Sequence, residues 1–308
     1  MSVNEFNLIA AVDPDARLDV VVKTLSELLL PLGPDSKIEA RRLVAAASGL
    51  DPAGLILYGD RKLGQEAALK LKDWVARRLH REPLSRILGT KGFWEHEFQL
   101  APDVLDPRPD SETIIRVALD LLPHRRAEPI RILDLGTGSG ALLCSLLGEF
   151  PAASGIGVDV SVKACALAQA NLDALGFQDR GQIVQGDWAA CIGQTFDLIV
   201  SNPPYIASAV IETLAPEVLN HDPRLALDGG ADGLEAYRQI SQCLADQLKP
   251  EAIALFEIGY DQGASVTGLF SSRSYPVLGV WRDYGGHERV VGVKNRRLYL
   301  LHTTQRLT

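Results

Sequence analysis

The sequence predicts an α/β fold in which a mostly parallel sheet with helices on both faces follows a small helical bundle. Two patterns predict it. After residue 110, short apolar runs of strand length alternate with helical stretches, which is typical of a parallel sheet. In the first 86 residues, apolar residues recur at helical spacing instead. Apolar residues make up 46% and charged residues 23% of the 308 residues, which is the composition of a folded globular protein.

The first 86 residues are predicted to form a small helical domain. Proline and glycine residues separate its first two apolar patterns. In residues 87–109, glycines, aromatic residues and prolines replace the helical pattern, and we expect a hairpin and a linker there. The domain boundaries are therefore placed at 1–86, 87–109 and 110–308. The predicted helices of the first domain are Leu18 to Leu30, Ile38 to Ala47 and Gln65 to Leu79.

Residues 110–308 are predicted to contain the sheet. Because open parallel sheets bind ligands at the carboxyl ends of their strands, motifs that follow a strand are the candidates for a site. The predicted strands are Ile130 to Leu133, Gly155 to Val158, Gln182 to Val184, Asp197 to Val200 and Ala252 to Ile258. The predicted helices include Ile114 to Leu122, Ala141 to Leu147 and Val162 to Leu175, and a closing hairpin is predicted from Tyr275 to Trp281 and Glu288 to Val293.

A glycine-rich loop joins the first of these strands to a helix. Glycines let the backbone turn tightly and approach a ligand without Cβ clashes, so we expect a nucleotide-like ligand here. Read as Gly136-x-Gly138-x-x-Ala141, the loop fits the dinucleotide fingerprint, and read as Gly136-x-Gly138-x-Gly140 it is similar to the methyltransferase version. The loop alone therefore leaves the cofactor open. The candidate cofactor-binding residues are Asp134, Gly136, Thr137, Gly138, Ser139 and Gly140.

Acidic side chains follow the next two strands. Asp159 ends the second strand, where a carboxylate can accept hydrogen bonds from both ribose hydroxyls of an adenosine. NAD and S-adenosylmethionine share that ribose. Asp187 and Trp188 follow the third strand, where a carboxylate and an aromatic face can bind adenine.

The segment Asn202-Pro203-Pro204-Tyr205, directly after the fourth strand, carries the predicted chemistry. Neither proline can donate a backbone hydrogen bond, so the carbonyls of this segment remain free to accept. We expect Asn202 and the Pro203 carbonyl to hold the two hydrogens of a planar NH2 group, with Tyr205 as a flat wall. Holding an amide in this way aims its delocalised lone pair at a methyl sulfonium. A hydride-transfer enzyme has no use for such a site.

On these motifs the chain resembles the glutamine N5-methyltransferases that modify peptide-chain release factors. The resemblance implies a Rossmann-like, class I S-adenosylmethionine methyltransferase sheet. It also implies methyl transfer to the glutamine of the Gly-Gly-Gln loop of a release factor, which the N-terminal domain would hold. Further segments that resemble family motifs are Ile38 to Leu43, Glu82 to Gly89, Pro107 to Glu112 and Ala226 to Leu234.

The same resemblance implies roles for single residues. Asn202 would contact both cofactor and glutamine, and Phe93 and Arg108 lie in segments that the family uses near the site. Two positions depart from the family pattern: Ser111 stands in place of the usual threonine and keeps a hydroxyl, and Asp106 stands in place of an apolar residue.

Three alternatives stay open from the sequence. A DNA adenine N6-methyltransferase could use the same motif on the adenine NH2, but a formal net charge of -8 works against nucleic-acid binding. A ribosomal-protein glutamine methyltransferase would perform the same chemistry on another protein. A non-catalytic factor that binds the ribosome or a release factor would retain the loop without using it.

The cysteine pattern and the ends of the chain bear on location. No Cys-x-x-Cys pair occurs, so we expect neither a metal site nor a disulfide framework, and a reducing cytoplasmic compartment. The apolar run from Leu8 to Val12 fits neither a signal nor a transit peptide. No run approaches the ~18 apolar residues that span a bilayer, so no membrane partner is expected. The cysteines are Cys144, Cys165, Cys191 and Cys243.

Overall fold

The computed structural model describes residues 12–188 and 192–296, which fall into two compact units separated after Gly89. The start of the apolar run at Leu8, Cys191 and the tail from residue 297 lie outside the described residues. The predicted α/β class with a helical N-terminal region is confirmed. Among the described helices, none is long and apolar enough to cross a membrane.

The described part of the first unit is helical. Its helices each bury one apolar face, as their 3.6-residue spacing predicts: Leu25, Leu43 and Leu71, from three different helices, are fully buried. Arg78 and Glu39 form an ion pair at 2.8 Å that joins two of the helices. The helices are α1 Leu18–Leu29, α2 Ser36–Ala47, α3 Pro52–Leu57, α4 Gln65–Leu79 and α5 Leu84–Leu88.

The second unit begins with the predicted hairpin. Strand β1, Thr90–Phe93, pairs antiparallel with β2, His96–Gln99. The backbone N–H of Gln99 donates to the Asn171 side chain at 2.8 Å, and the Asn171 amide donates back to the Gln99 carbonyl at 3.1 Å. The hairpin is therefore fixed to the second unit. Helix α6, Glu112–Leu121, follows it.

A sheet of seven strands forms the centre of the described second unit. Strands β3 to β7 are parallel, and the last two form the predicted hairpin and add antiparallel to β7. The order is β5-β4-β3-β6-β7-β9-β8, so the chain changes direction across the sheet at β3, which is where such sheets bind ligands. The strands are β3 Arg131–Leu135, β4 Ser154–Asp159, β5 Gly181–Gln185, β6 Phe196–Ser201, β7 Leu248–Glu257, β8 Val277–Arg282 and β9 Glu288–Lys294.

Helices cover both faces of this sheet. Along β3, Ile132 packs in one apolar cluster with Leu143, whereas its neighbour Leu133 packs in a second cluster with Ile240. This alternation follows from the two-residue period of a strand and gives the sheet a core on each side. The helices after α6 are α7 Ala141–Glu149, α8 Val162–Ala174, α9 Ser208–Ile211, α10 Pro216–Leu219, α11 Arg224–Leu227, α12 Glu235–Gln247 and α13 Gly263–Ser272.

Candidate active site

A cavity in the second unit brings together most of the predicted site residues. Its volume is about 620 Å³, within the ~300–1,000 Å³ typical of small-molecule sites. It lies at the carboxyl ends of β3, β4, β5 and β6. The predicted residues that line it are Phe93, Arg108, Gly136, Thr137, Gly138, Ser139, Asp159, Asp187, Trp188, Asn202 and Pro204, whereas Asp134, Gly140, Pro203 and Tyr205 are not among its lining residues.

The glycine loop forms one wall through a backbone that favours glycine. Gly136, Gly138 and Gly140 have φ values of 70°, 56° and 79°, a region that costs residues with a Cβ about 1–2 kcal/mol. A Cβ on Gly140 would also lie 3.2 Å from the Cβ of Ala168. The loop places the N-terminus of α7 beside the cavity, with Ala141 in its wall. Backbone N–H groups at a helix N-terminus are suited to bind the polar or charged part of a ligand.

Asp134 lies beneath the loop and is fully buried. One of its carboxyl oxygens accepts a hydrogen bond from the Thr137 hydroxyl at 2.6 Å. Burial raises the pKa of Asp134 to about 7. Since Thr137 lines the cavity and Asp134 does not, Asp134 is placed to support the loop.

Asp159 connects the end of β4 to the loop. Its carboxylate accepts backbone hydrogen bonds from Gly138 and from Ser161, one on each oxygen and each at 2.9 Å. A carboxylate oxygen has two lone pairs, so each oxygen can accept a further hydrogen bond from a ligand hydroxyl. The side chain is thus fixed in place and still able to bind.

Asp187 and Trp188 follow β5 and also line the cavity. Asp187 is exposed. Trp188 has a positive φ of 48°, and its ring lies 3.7 Å from the Cβ position of Gly136 in the glycine loop. The indole Nε1 donates to Gln239 Oε1 at 2.7 Å, which fixes the ring. An aromatic face and a carboxylate are thereby available side by side.

The segment after β6 divides between the cavity wall and the interior. Asn202 and Pro204 line the cavity, and Pro203 is buried. The half-buried Tyr205 donates its hydroxyl to Glu257 at 3.2 Å, and burial raises the pKa of that hydroxyl. The hydrogen bond to Glu257 therefore fixes the position of the Tyr205 ring. Its predicted role as a flat wall for the substrate stays a prediction.

Two polar residues that were not singled out as site residues from the sequence are hydrogen-bonded in line with Asn202: Ser111, which also lines the cavity, and Glu257, which does not. The Asn202 amide donates to Ser111 Oγ at 2.9 Å, and the Ser111 hydroxyl donates to Glu257 at 2.5 Å. Glu257 is buried at the carboxyl end of β7, and burial raises its pKa to about 7. An acidic residue at the end of an apolar strand was a signal available in the sequence. The contact with Ser111, 146 residues away, was not.

Arg108 and the segment after Tyr205 enclose the remaining side of the cavity. Arg108 lines it and forms an ion pair with the buried Asp222. Ser208 of α9 and Leu225 of α11 also line it. Two of the short helices between β6 and α12, α9 and α11, thus contribute to the cavity wall.

S-adenosylmethionine fits these residues. The lone pairs left on Asp159 suit ribose hydroxyls, and the face of Trp188 with the nearby Asp187 suits adenine. The positive-φ loop allows a ligand to approach the backbone closely. In the described ranges, no group of three or more His, Cys, Asp and Glu side chains could hold a metal ion.

Comparisons with known proteins identify related sequences and folds. Residues 115–232 match the family model "Methyltransferase small domain", and residues 23–89 match "PrmC N-terminal domain". A release factor glutamine methyltransferase of Caulobacter vibrioides is 44% identical over 84% of this chain and 89% of its own length. One of Rhodospirillum rubrum is 43% identical over 84% of this chain and 78% of its own. The hMettl16 catalytic domain, at 15% identity and a TM-score of 0.54 over 74% of this chain and 81% of that domain, shares the fold.

Proposed function

Because the chain belongs to the family of release factor glutamine methyltransferases, we propose that it methylates the side-chain amide nitrogen, N5, of a release factor glutamine. The acceptor is the glutamine of the Gly-Gly-Gln loop, and S-adenosylmethionine is the donor. The observation that carries the proposal is that Asn202 and the glycine loop line one cavity. The residue proposed to hold the amide and the loop proposed to hold the cofactor therefore border the same cavity, where one substrate and one cofactor could bind together.

The cofactor would be held by the residues around β3, β4 and β5. Asp159 would accept hydrogen bonds from the ribose, Asp187 and Trp188 would bind the adenine, and the loop from Gly136 to Gly140 would bind the methionyl part. When bound, S-adenosylmethionine supplies an electrophilic methyl group on a sulfonium sulfur. Asp134 acts indirectly, by holding Thr137 and hence the loop.

The glutamine would be held by the segment after β6. Asn202 Oδ1 and the Pro203 carbonyl each accept one hydrogen of the carboxamide NH2, which turns the nitrogen lone pair toward the cofactor. Pro204 and Tyr205 limit where the carboxamide can lie, and Phe93 and Arg108 line the approach. The nitrogen becomes acidic as its bond to the methyl forms, so its proton leaves to these acceptors or to water. Positioning of an otherwise poor nucleophile is the main catalytic device.

The first 86 residues would bind the release factor, and no nucleic acid or membrane partner is part of the proposal. Support comes from the match of residues 23–89 to the family model "PrmC N-terminal domain" and from the net charge of -8. Release factors act on ribosomes, so the cytoplasm is the proposed location.

A transfer assay with labelled S-adenosylmethionine tests the proposed function. The purified protein is expected to label a release factor. A variant of that release factor with alanine in place of the Gly-Gly-Gln glutamine should remain unlabelled. A ribosomal protein and a DNA duplex serve as alternative acceptors. Preferential label on the ribosomal protein or the DNA would overturn the choice of substrate.

A further inference from the structure

A line of hydrogen bonds runs from the cavity wall into the interior of the second unit. Asn202 Nδ2 donates to Ser111 Oγ at 2.9 Å, and the Ser111 hydroxyl donates to Glu257 Oε2 at 2.5 Å. Ser111 and Glu257 are 3% and 1% exposed, so water does not compete for these bonds. The line connects the residue proposed to hold the substrate amide with a buried acid on another strand.

The number of protons available determines which group donates and which accepts in each of these hydrogen bonds. A serine hydroxyl has one proton to donate, and here Glu257 accepts it. While Glu257 accepts this proton, Ser111 Oγ can only accept from Asn202, so Nδ2 of the amide faces Ser111. Because the amide oxygen lies on the other side of the same planar group, Oδ1 turns away from Ser111. Without an acceptor at Glu257, Ser111 could donate to Oδ1 instead and the amide could rotate by half a turn.

We propose that Ser111 and Glu257 are positioning residues that fix the orientation of the Asn202 amide, so that Oδ1 faces the cavity and accepts an N–H of the substrate glutamine. The inference rests on the proposed function for the identity of that substrate. A reversed amide would present N–H groups to the glutamine NH2, and two donors cannot bond to each other. The orientation therefore decides whether the glutamine can be held for transfer.

Glu257 also accepts hydrogen bonds from two tyrosine hydroxyls. Tyr205 donates to its other oxygen at 3.2 Å, and the Tyr237 hydroxyl donates to its backbone carbonyl at 2.6 Å. Arg289 and Asp110 are the charged groups that act on it electrostatically. Since Tyr205 belongs to the same segment as Asn202, a single carboxyl group orients two of the four residues proposed to hold the glutamine.

Substitutions of Ser111 test the link next to Asn202. Ser111→Ala removes the acceptor, and we expect kcat for release factor methylation to fall about 10- to 100-fold. The dissociation constant of S-adenosylhomocysteine should change less than about threefold. Ser111→Thr keeps the hydroxyl and should retain most of kcat. Ser145→Ala removes another buried hydroxyl, one without a partner among the described residues, and controls for loss of a core serine.

Substitutions of Glu257 test the link behind Ser111. Glu257→Gln keeps an oxygen that accepts from Ser111, and its NH2 can donate to the Tyr205 hydroxyl, so kcat should remain within about fivefold of wild type. Glu257→Leu removes the acceptor and should lower kcat about as much as Ser111→Ala. If Glu257→Leu does not fold, the Ser111 pair still gives the answer. Equal kcat for Ser111→Ala and Ser111→Thr would overturn the inference.

A measurement on the amide itself separates this inference from the proposed function. In protein labelled with 15N-asparagine, the side-chain NH2 signal of Asn202 can be assigned from its absence in Asn202→Ala. Its hydrogens should exchange with solvent about tenfold faster in Ser111→Ala than in wild type or Ser111→Thr. Unchanged exchange in Ser111→Ala would overturn the inference even if the enzyme methylates release factor. The expected change in exchange, without any methylation by the wild type, would overturn the function and support the orientation.

Discussion

At the scale of single residues, the residues proposed to bind the cofactor differ from the residue proposed to orient the substrate amide. Asp159 and Trp188 are fixed by hydrogen bonds to the protein and both line the cavity. Asn202 is held by Ser111 and lines the cavity, where it is proposed to bind the substrate amide. Substitutions in these two groups should therefore affect different measured constants.

Asn202→Ala should separate turnover from cofactor binding. The variant loses an acceptor that acts on the reacting amide, so we expect the single-turnover rate of release factor methylation to fall about 100-fold or more. Calorimetry should show a dissociation constant for S-adenosylhomocysteine within about threefold of wild type. Asn220→Ala, at an exposed position outside the cavity lining, is the matched control. A parallel loss of affinity and turnover would make Asn202 chiefly a cofactor ligand.

Asp134→Asn should change how stability depends on pH. Burial favours the neutral acid in the folded state, so the folded protein binds more protons than the unfolded chain between pH 3.8 and about 7. The resulting stabilisation is present below pH 3.8 and is lost as the pH rises through about 7. The unfolding free energy of wild type, relative to the variant, should therefore fall by on the order of 4 kcal/mol from low to neutral pH.

Denaturant unfolding of both proteins without cofactor at several pH values measures this difference. Both proteins contain the same other titrating groups, so the effects of those groups largely cancel in the comparison. The asparagine at position 134 does not titrate, so the remaining pH dependence belongs to Asp134. A difference that stays constant over the whole range would show that Asp134 has an ordinary pKa.

At the scale of elements, the long regular segments were predictable and the short ones were not. The predicted helix from Gln65 to Leu79 matches α4, and the predicted strand from Asp197 to Val200 lies within β6. The four-residue helices α9 to α11 are shorter than the 11–18 residues over which periodicity can be detected. Strand β7 begins at Leu248 and includes Pro250, which interrupts the strand pattern in the sequence.

In the candidate site, too, only features with a local sequence pattern were predictable. The glycine loop, Asp159 and the segment from Asn202 to Tyr205 were predictable, because each follows a strand directly and carries its own local pattern. The pairing of Ser111 with Glu257 depends on how the segment before α6 meets the end of β7. No local pattern contains that contact.

The glycine loop gives an element-scale prediction with an internal control. Gly140 and Gly176 have almost the same backbone, with φ of 79° and 78°. A Cβ at Gly140 meets Ala168, including its backbone Cα at 3.3 Å, whereas nothing lies within 4 Å of one at Gly176. Gly140→Ala should therefore lose about 1–3 kcal/mol more unfolding free energy than Gly176→Ala.

Thermal or denaturant unfolding of the two variants measures that difference. Gly140→Ala should also weaken S-adenosylhomocysteine binding, since the loop must shift to admit the methyl group. Equal losses in both variants would mean that only backbone strain, and not the close approach of α8, requires glycine at Gly140.

At the scale of the whole molecule, two parts have separate tasks in the account. The second unit is proposed to hold the cofactor and the amide in one cavity, and the first 86 residues are proposed to select the protein that carries the amide. The net charge of -8 is consistent with a protein substrate, because a chain of that charge repels the phosphate backbone of nucleic acids. We propose that a rigid site of hydrogen-bond acceptors makes the carboxamide nitrogen reactive.

Mass spectrometry of a release factor after incubation with the enzyme and S-adenosylmethionine tests that claim most directly. We expect one added methyl group, located by fragmentation on the side-chain nitrogen of the Gly-Gly-Gln glutamine and absent when the enzyme carries Asn202→Ala. A methyl group on any other residue, or on that glutamine in undiminished amount with the Asn202→Ala enzyme, would contradict it.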